Sequence, residues 1–232
     1  MEVKHYPELD TTDALDDQGR QIYWSLIGML QWAVTLGRID IHHAVMSMSR
    51  FRAQSRKGHL MAVARIFGYL SNYKTASIKF RTEIPDYSKF IQEQETDFDW
   101  SYIYGKVKEL VPKGMPKPKG KSVHSTFFVD ANLGHDKVTG RSCSGILTML
   151  NLPPIDWFSK LQNTVATATY GSEFCVARQA IDKILAECYK LRALGVPLDG
   201  PACMFGDNKP VVLSSTIPTH GLNKWHNFLA CH

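Results

Sequence analysis

The 232-residue sequence predicts an α/β protein. Three antiparallel strands and a parallel fourth, added after a crossover helix, form a mixed sheet, and a small helical segment precedes it. Three observations predict this. Three short apolar runs between Ser125 and Lys160 are separated by turn signals. One long stretch of helical periodicity follows them, and the apolar run "PACMFGDN" comes after it, where a crossover brings a strand back parallel to an earlier one.

From Arg20 to Asn72 the apolar residues recur at helical spacing. Ile22, Leu26, Met29 and Ala33 share one face, then Ile41, Val45 and Met48, then Leu60, Val63, Ala64 and Phe67. Three short amphipathic helices are expected, with Gly37 in "LGRID" and Gly58 in "SRKGH" marking the turns. Helical spacing assigns Trp24, Met29, Trp32, Met46 and Met48 to packing between helices. His42, His43 and His59 have no carboxylate or cysteine at ligand spacing and receive no role. Beyond Tyr73, "SIKFRTEI" reads as a short strand leading into the acidic, aromatic "YSKFIQEQETDFDWSYIY".

In "GKVKELVPKGMPKPKGKS" six lysines and three prolines stand against one glutamate. Proline fixes φ and removes donors, and the lysines repel one another, so a semi-extended basic linker is expected. It divides the chain into a helical segment (1–104), a linker (105–122) and a second domain (123–232). The linker is either a solvated tether or a strap on phosphates, two roles that salt dependence separates.

In the second domain "STFFVD", "CSGILTML" and "IDWFSK" read as three strands of a meander, the first as a buried one, with Gly140 and Pro153-Pro154 at the turns. A helix from about Tyr170 to Ala193 carries Phe174, Ala177, Ile181, Ile184, Cys188 and Leu191 along one stripe. After "PACMFGDN" come the short helical piece "KPVVLSS" and the start of another helix in "GLNKWHNFLACH".

With 44% hydrophobic residues the chain can bury a core. No apolar run approaches the roughly 18 residues of a membrane span, and the polar, acidic N-terminus is not a signal peptide, so an intracellular, membrane-free setting is expected. Cys143, Cys175, Cys188, Cys203 and Cys231 are odd in number and lack C-x-x-C spacing. Neither a disulfide framework nor a structural zinc site is indicated, and mostly buried, reduced thiols are expected. The net charge of +5 is compatible with a polyanionic partner.

Three acids of the second domain stand out. Asp130 ends the first strand, Glu173 lies in the first turns of the long helix, and Asp207 follows the fourth strand. Each alone has a plain structural reading: strand-end or turn residues for the aspartates, a helix-start acid favoured by the dipole for Glu173. If the first and fourth strands are neighbours, all three converge on one edge of the sheet, where they repel one another unless a cation joins them. Oxygen-only ligands favour Mg²⁺ or Mn²⁺, and paired ions of this kind are the usual device for in-line phosphodiester hydrolysis.

The blocks "FVDANLGHDKVTGRSCSGILTMLNLPPIDWFSKLQNTVATATYGSEF", "FGDN" and "HNFLACH" resemble the ribonuclease H domain of Ty1/copia-type retrotransposon polyproteins. "WFSKLQNTVA", with Trp157, Ser159, Lys160 and Gln162, is similar to the family's W-x-S-K-x-Q-x-T-V-A block. "YWSLIGMLQWAVTLGRIDIHHAVMSMSRFRAQSRKGHLMAVARIFGYL" resembles the segment that follows the polymerase core in the same polyproteins. The resemblance covers Ile22 to Leu70 and Thr126 to His232. It implies a ribonuclease H-like fold and Mg²⁺- or Mn²⁺-dependent hydrolysis of the RNA strand of an RNA–DNA hybrid. Asp130, Glu173 and Asp207 would be both catalytic and metal-holding residues. Arg141, Lys160 and Lys209, with Asn208 beside Asp207, would line the track of the hybrid backbone. The implied partners are the hybrid and the polymerase portion of the same polyprotein.

There are departures from the pattern. Thr167, Ala168 and Thr169 replace the family's S-S-T, and Asp130-Ala131-Asn132-Leu133 replaces D-A-D-W. No Y-x-D-D motif is present, so DNA synthesis is not expected. The sequence stops at His232, before the family's A-D-x-x-T-K motif and its fourth metal-binding carboxylate. A nucleic-acid-binding fragment without turnover, or a remnant of the element, is therefore the alternative expectation. His226 and His232 occupy the positions of the family's histidine pair, where helix-surface or hydrogen-bonding roles are expected rather than zinc.

Overall fold

The structure is a computed structural model, and it describes residues 6–89 and 111–216. The part of the expected linker before Val111, most of the acidic aromatic stretch, Cys231 and the terminal helix with His226 and His232 lie outside the described residues. Those described fall into two compact units. The first combines the chain up to Lys79 with Gly134–Cys143 and Ser159–Val165; the second combines Phe80–Leu133, Ser144–Phe158 and the chain from Ala166 on.

In the first unit α1 (Asp17–Thr35), α2 (His42–Ser49) and α3 (Lys57–Asn72) pack on one another. The Asp16 side chain caps α1 by accepting the Gly19 N–H at 2.7 Å. Gly37 ends it with a left-handed φ of 110° that L side chains disfavour. The three expected helices are present, but the buried stripe of α1 is Tyr23, Ile27, Leu30 and Val34, one residue on from the expected face. Trp24, Met29 and Trp32 are therefore exposed, by 51%, 57% and 65%, and are not core. The reason lies in Tyr23, whose ring is buried and whose hydroxyl donates to the Met48 carbonyl at 2.7 Å; that bond fixes the rotation of α1. The Trp24 indole N–H donates to the Arg52 carbonyl at 2.7 Å while its ring faces solvent. Ile41, just before α2, and Val45 and Met48 within it are buried as expected.

Gly58 is not in a turn. It lies in the first turn of α3, where the Asp10 side chain packs against it, its carboxylate 2.2 Å from where a Cβ would stand. The piece "SIKFRTEI" forms no strand, its backbone joining no ladder. Residues 111–122 make turns but no helix or strand until the single bridge from Val123 to Leu198.

The second part of the chain has the predicted α/β topology. β1 (Ser125–Asn132), β2 (Cys143–Leu150), β3 (Pro154–Leu161) and β4 (Cys203–Phe205) make one four-stranded sheet in the order β3-β2-β1-β4. The first three are antiparallel and β4 runs parallel to β1, Phe127 opposite Met204 and Phe128 opposite Phe205. The crossover is α4 (Thr169–Ala193), which packs on β1, and the chain continues into α5 (Lys209–Thr216). Phe127, Val129 and Ala131 of β1 pack with Ile146, Val176 and Ala180 in the core. On α4 the buried set is Tyr170, Ser172, Glu173, Val176, Ala177, Ala180 and Leu191; Ile181, expected on the apolar stripe, is exposed. Cys143 is buried, Cys175, Cys188 and Cys203 are half-buried, and all four are free thiols. Among the described residues no helix is long and apolar enough to cross a membrane.

Candidate metal centre

β1 is not buried on both faces. From Phe127 on, its residues alternate, Phe127, Val129 and Ala131 inward and Phe128, Asp130 and Asn132 exposed, as the two-residue period of a strand requires. Asp130 therefore stands on the solvent side near the strand's end. The parallel register sets the end of β4 beside it, and Gly206 and Asp207 follow Phe205 directly. Here too glycine answers a close approach, since a Cβ on Gly206 would meet Val129 Cγ2 at 3.2 Å.

Glu173 reaches the same place from α4. It lies in the second turn, only 6% exposed, and its Oε1 accepts the Ala131 N–H at 3.3 Å. Carboxylate oxygens of Asp130, Glu173 and Asp207 all lie within 4.8 Å of one another. Burial pushes the Glu173 carboxyl up to about 7; the Ala131 N–H opposes the shift, and the charges of Asp130 and Asp207 add to it. A neutral, buried acid beside two exposed acids is the expected state of such a cluster without a cation. An all-carboxylate donor set of this size suits a hard divalent ion, and no histidine or cysteine joins it among the described residues.

The shallow pocket between the strand ends, of about 330 Å³, is lined by Phe128, Val129, Asp130, Phe205, Gly206 and Asp207. Phe128 and Phe205 stack with ring centroids 5.5 Å apart, and Tyr87 approaches Phe205 at 4.9 Å. Sequence reasoning missed this aromatic floor. The outward position of Phe128 was available from the two-residue period, but its pairing with Phe205 needed the register of β1 against β4.

The four expected backbone-track residues are placed differently from one another. Asn208 caps α5, its Oδ1 accepting the Val211 N–H at 3.2 Å, and Lys209 is exposed at the first position of that helix. Arg141 closes a tight turn through its backbone, its carbonyl accepting the Asp136 N–H at 3.0 Å. Lys160 is exposed on β3, within the first unit.

A mixed sheet in this order, with a crossover helix between its antiparallel part and its parallel strand, is a ribonuclease H-like arrangement. In sequence the chain is similar to the Pol polyproteins of Ty1/copia-type transposons. It is 24% identical over 186 residues to the retrovirus-related Pol polyprotein from transposon RE1 of Arabidopsis thaliana, an alignment covering 80% of this chain and 10% of that protein. The polyprotein from transposon RE2 of the same plant is 22% identical over the same shares. A putative transposon Ty5-1 protein of Saccharomyces cerevisiae is 23% identical over 163 residues, 70% of this chain and 41% of that protein. The chain thus spans less than half the length of these relatives. No family model matches it, and no solved structure matches it significantly.

Proposed function

We propose that this chain is a ribonuclease H-type domain of retrotransposon origin, hydrolysing the RNA strand of an RNA–DNA hybrid with Mg²⁺ or Mn²⁺. The observation that carries the reading is the convergence of Asp130, Glu173 and Asp207, from two strand ends and a helix, to within 4.8 Å. These three residues would hold the ions. When bound, such ions activate water and stabilise charge on the leaving oxygen of a phosphodiester.

The protein's own part is placement. The Ala131 N–H fixes the Glu173 carboxylate, and packing of α4 on β1 excludes water from its inner side. Asp130 and Asp207 remain open to an incoming phosphate. Phe128 and Phe205 offer an apolar floor on which a sugar or base can rest. Lys209, two residues after Asp207, supplies a cation near the strand end, and the Asn208 amide N–H₂ remains a donor while its oxygen caps α5. The polymerase portion of the parent polyprotein is the partner that this origin implies.

The test is cleavage of an end-labelled RNA–DNA hybrid by the full chain with Mg²⁺ or Mn²⁺, alongside Asp130→Asn. Cleavage by the parent chain, reduced roughly 100-fold or more in the variant, is expected. Hybrid binding without any cleavage by the parent chain would refute the enzyme and leave a nucleic-acid-binding fragment.

A further inference from the structure

The first unit holds a second concave site, a pocket of about 320 Å³ with a basic wall. Arg50, Arg52, His135 and Lys160 line it together with the hydroxyl-bearing Ser47 and Ser159, and no acid does. Its parts come from the end of α2, the turn after β1 and the end of β3, all within that unit.

The wall is held in place from behind. The Arg50 guanidinium bonds the Asp136 carboxylate, which is 2% exposed and also accepts the N–H groups of Val138 at 3.0 Å and Thr139 at 2.8 Å. Arg50 also lies over the Phe51 ring, 5.4 Å from its centroid. His43 Nδ1 stands 3.1 Å from the Ser159 hydroxyl and meets the His135 ring edge-on at 5.1 Å. Asp136 offsets the charge of Arg50 alone. Arg52 and Lys160 make no ion pair among the described residues, so the pocket presents two uncompensated cations and donor hydroxyls. Like charges facing one hollow repel, and an anion with several acceptor oxygens relieves them; a phosphate suits a guanidinium fork, a point-charge ammonium and hydroxyl donors together.

We propose that this pocket binds a phosphodiester of a nucleic-acid backbone, with Arg52 and Lys160 as its charged contacts. Nucleic acid is chosen as the polymer on the strength of the proposed function. The test needs no divalent ion, so the two readings can fail separately.

The measurement is fluorescence anisotropy of a labelled 12-base-pair RNA–DNA hybrid with the full chain in EDTA, over a series of salt concentrations. The double variant Arg52→Gln/Lys160→Gln is compared with Arg65→Gln/Lys74→Gln, which removes two exposed cations of the same unit outside the pocket. The pocket variant should lower the salt slope by about 2, roughly 1 for each phosphate it no longer neutralises, and weaken binding on the order of tenfold at 0.1 M salt; the control should keep the parent slope. All four residues are exposed, and unchanged thermal transitions show that folding is intact. Equal losses in both variants, an unchanged pocket variant, or no hybrid binding by the parent chain would each overturn the proposal. Loss confined to the pocket variant, in a chain that cleaves nothing, would keep the pocket and sink the hydrolytic reading.

Discussion

Glu173 ties the stability of the second unit to pH in a direction opposite to that of a salt-bridged acid. Its carboxyl is held at about 7 by burial, against an ordinary value of 4.5. Below pH 4.5 it is protonated both folded and unfolded, and costs nothing. Between 4.5 and 7 the unfolded chain releases the proton while the folded chain keeps it, so stability falls as pH rises, and the loss is complete above 7. At 1.36 kcal/mol for each pH unit the displacement corresponds to about 3 kcal/mol. A divalent ion, if held by the ionised cluster as proposed, would work against this loss, by about 1.4 kcal/mol at ten times its dissociation constant. The assay has two arms, both in EDTA: a carbon-13 titration of the Glu173 carboxyl, and urea unfolding of the parent chain and Glu173→Gln at pH 5 and pH 8. An inflection near 7 and a pH dependence flattened by the substitution are expected, with Mg²⁺ restoring the parent at pH 8. An inflection near 4.5, or parallel pH profiles for parent and variant, would refute the reasoning.

Four further outcomes follow from the packing. Gly28→Ala, whose Cβ would meet nothing within 4 Å, should stabilise α1 by about 1 kcal/mol, read in denaturant melts. Phe127→Ala, which empties a fully buried site in the sheet core, should cost about 3–5 kcal/mol in the same assay. Asp136→Ala removes a buried ion pair and two turn hydrogen bonds, and a loss of about 3 kcal/mol is expected, seen as faster hydrogen exchange at Val138 and Thr139. Asn208→Ala should cost about 1 kcal/mol and fray α5, visible in the amide exchange of Val211.

Elements with local signals were legible in the sequence. β2 begins and ends with the run "CSGILTML", the helix expected from Tyr170 starts at Thr169, and the crossover predicted the parallel pairing of β4 with β1. Features set by distant partners were not. The face of α1 was misplaced by one residue because its apolar and aromatic residues surround the helix, and its packing on α2 and α3, with the Tyr23 hydroxyl bond to Met48, is set by distant residues. Gly58 looked like a turn because nothing in the sequence announces that Asp10 packs against it. "SIKFRTEI" has strand composition but no neighbouring strand, and a strand without a ladder is only extended chain. The basic pocket brings together α2, the turn after β1 and the end of β3, separations of about a hundred residues that no local pattern reveals.

The three acids invite plain structural explanations, and the geometry removes them one at a time. A turn or cap role for Asp207 is already filled, since Asn208 supplies the side-chain oxygen that begins α5. A helix-start role for Glu173 requires its carboxylate at the N-terminus of α4, but it lies in the second turn and accepts its hydrogen bond from β1. As a strand terminator the Asp130 side chain would be expected to bond nearby backbone, yet among the described residues neither it nor the Asp207 side chain has a hydrogen bond or an ion pair. What remains is a buried carboxyl whose proton affinity is raised by its burial and by two exposed acids beside it. Glutamine or leucine at position 173 would fold at lower cost at neutral pH, so stability does not account for the glutamate. The cation proposed above would turn three mutually repelling carboxylates into a favourable set.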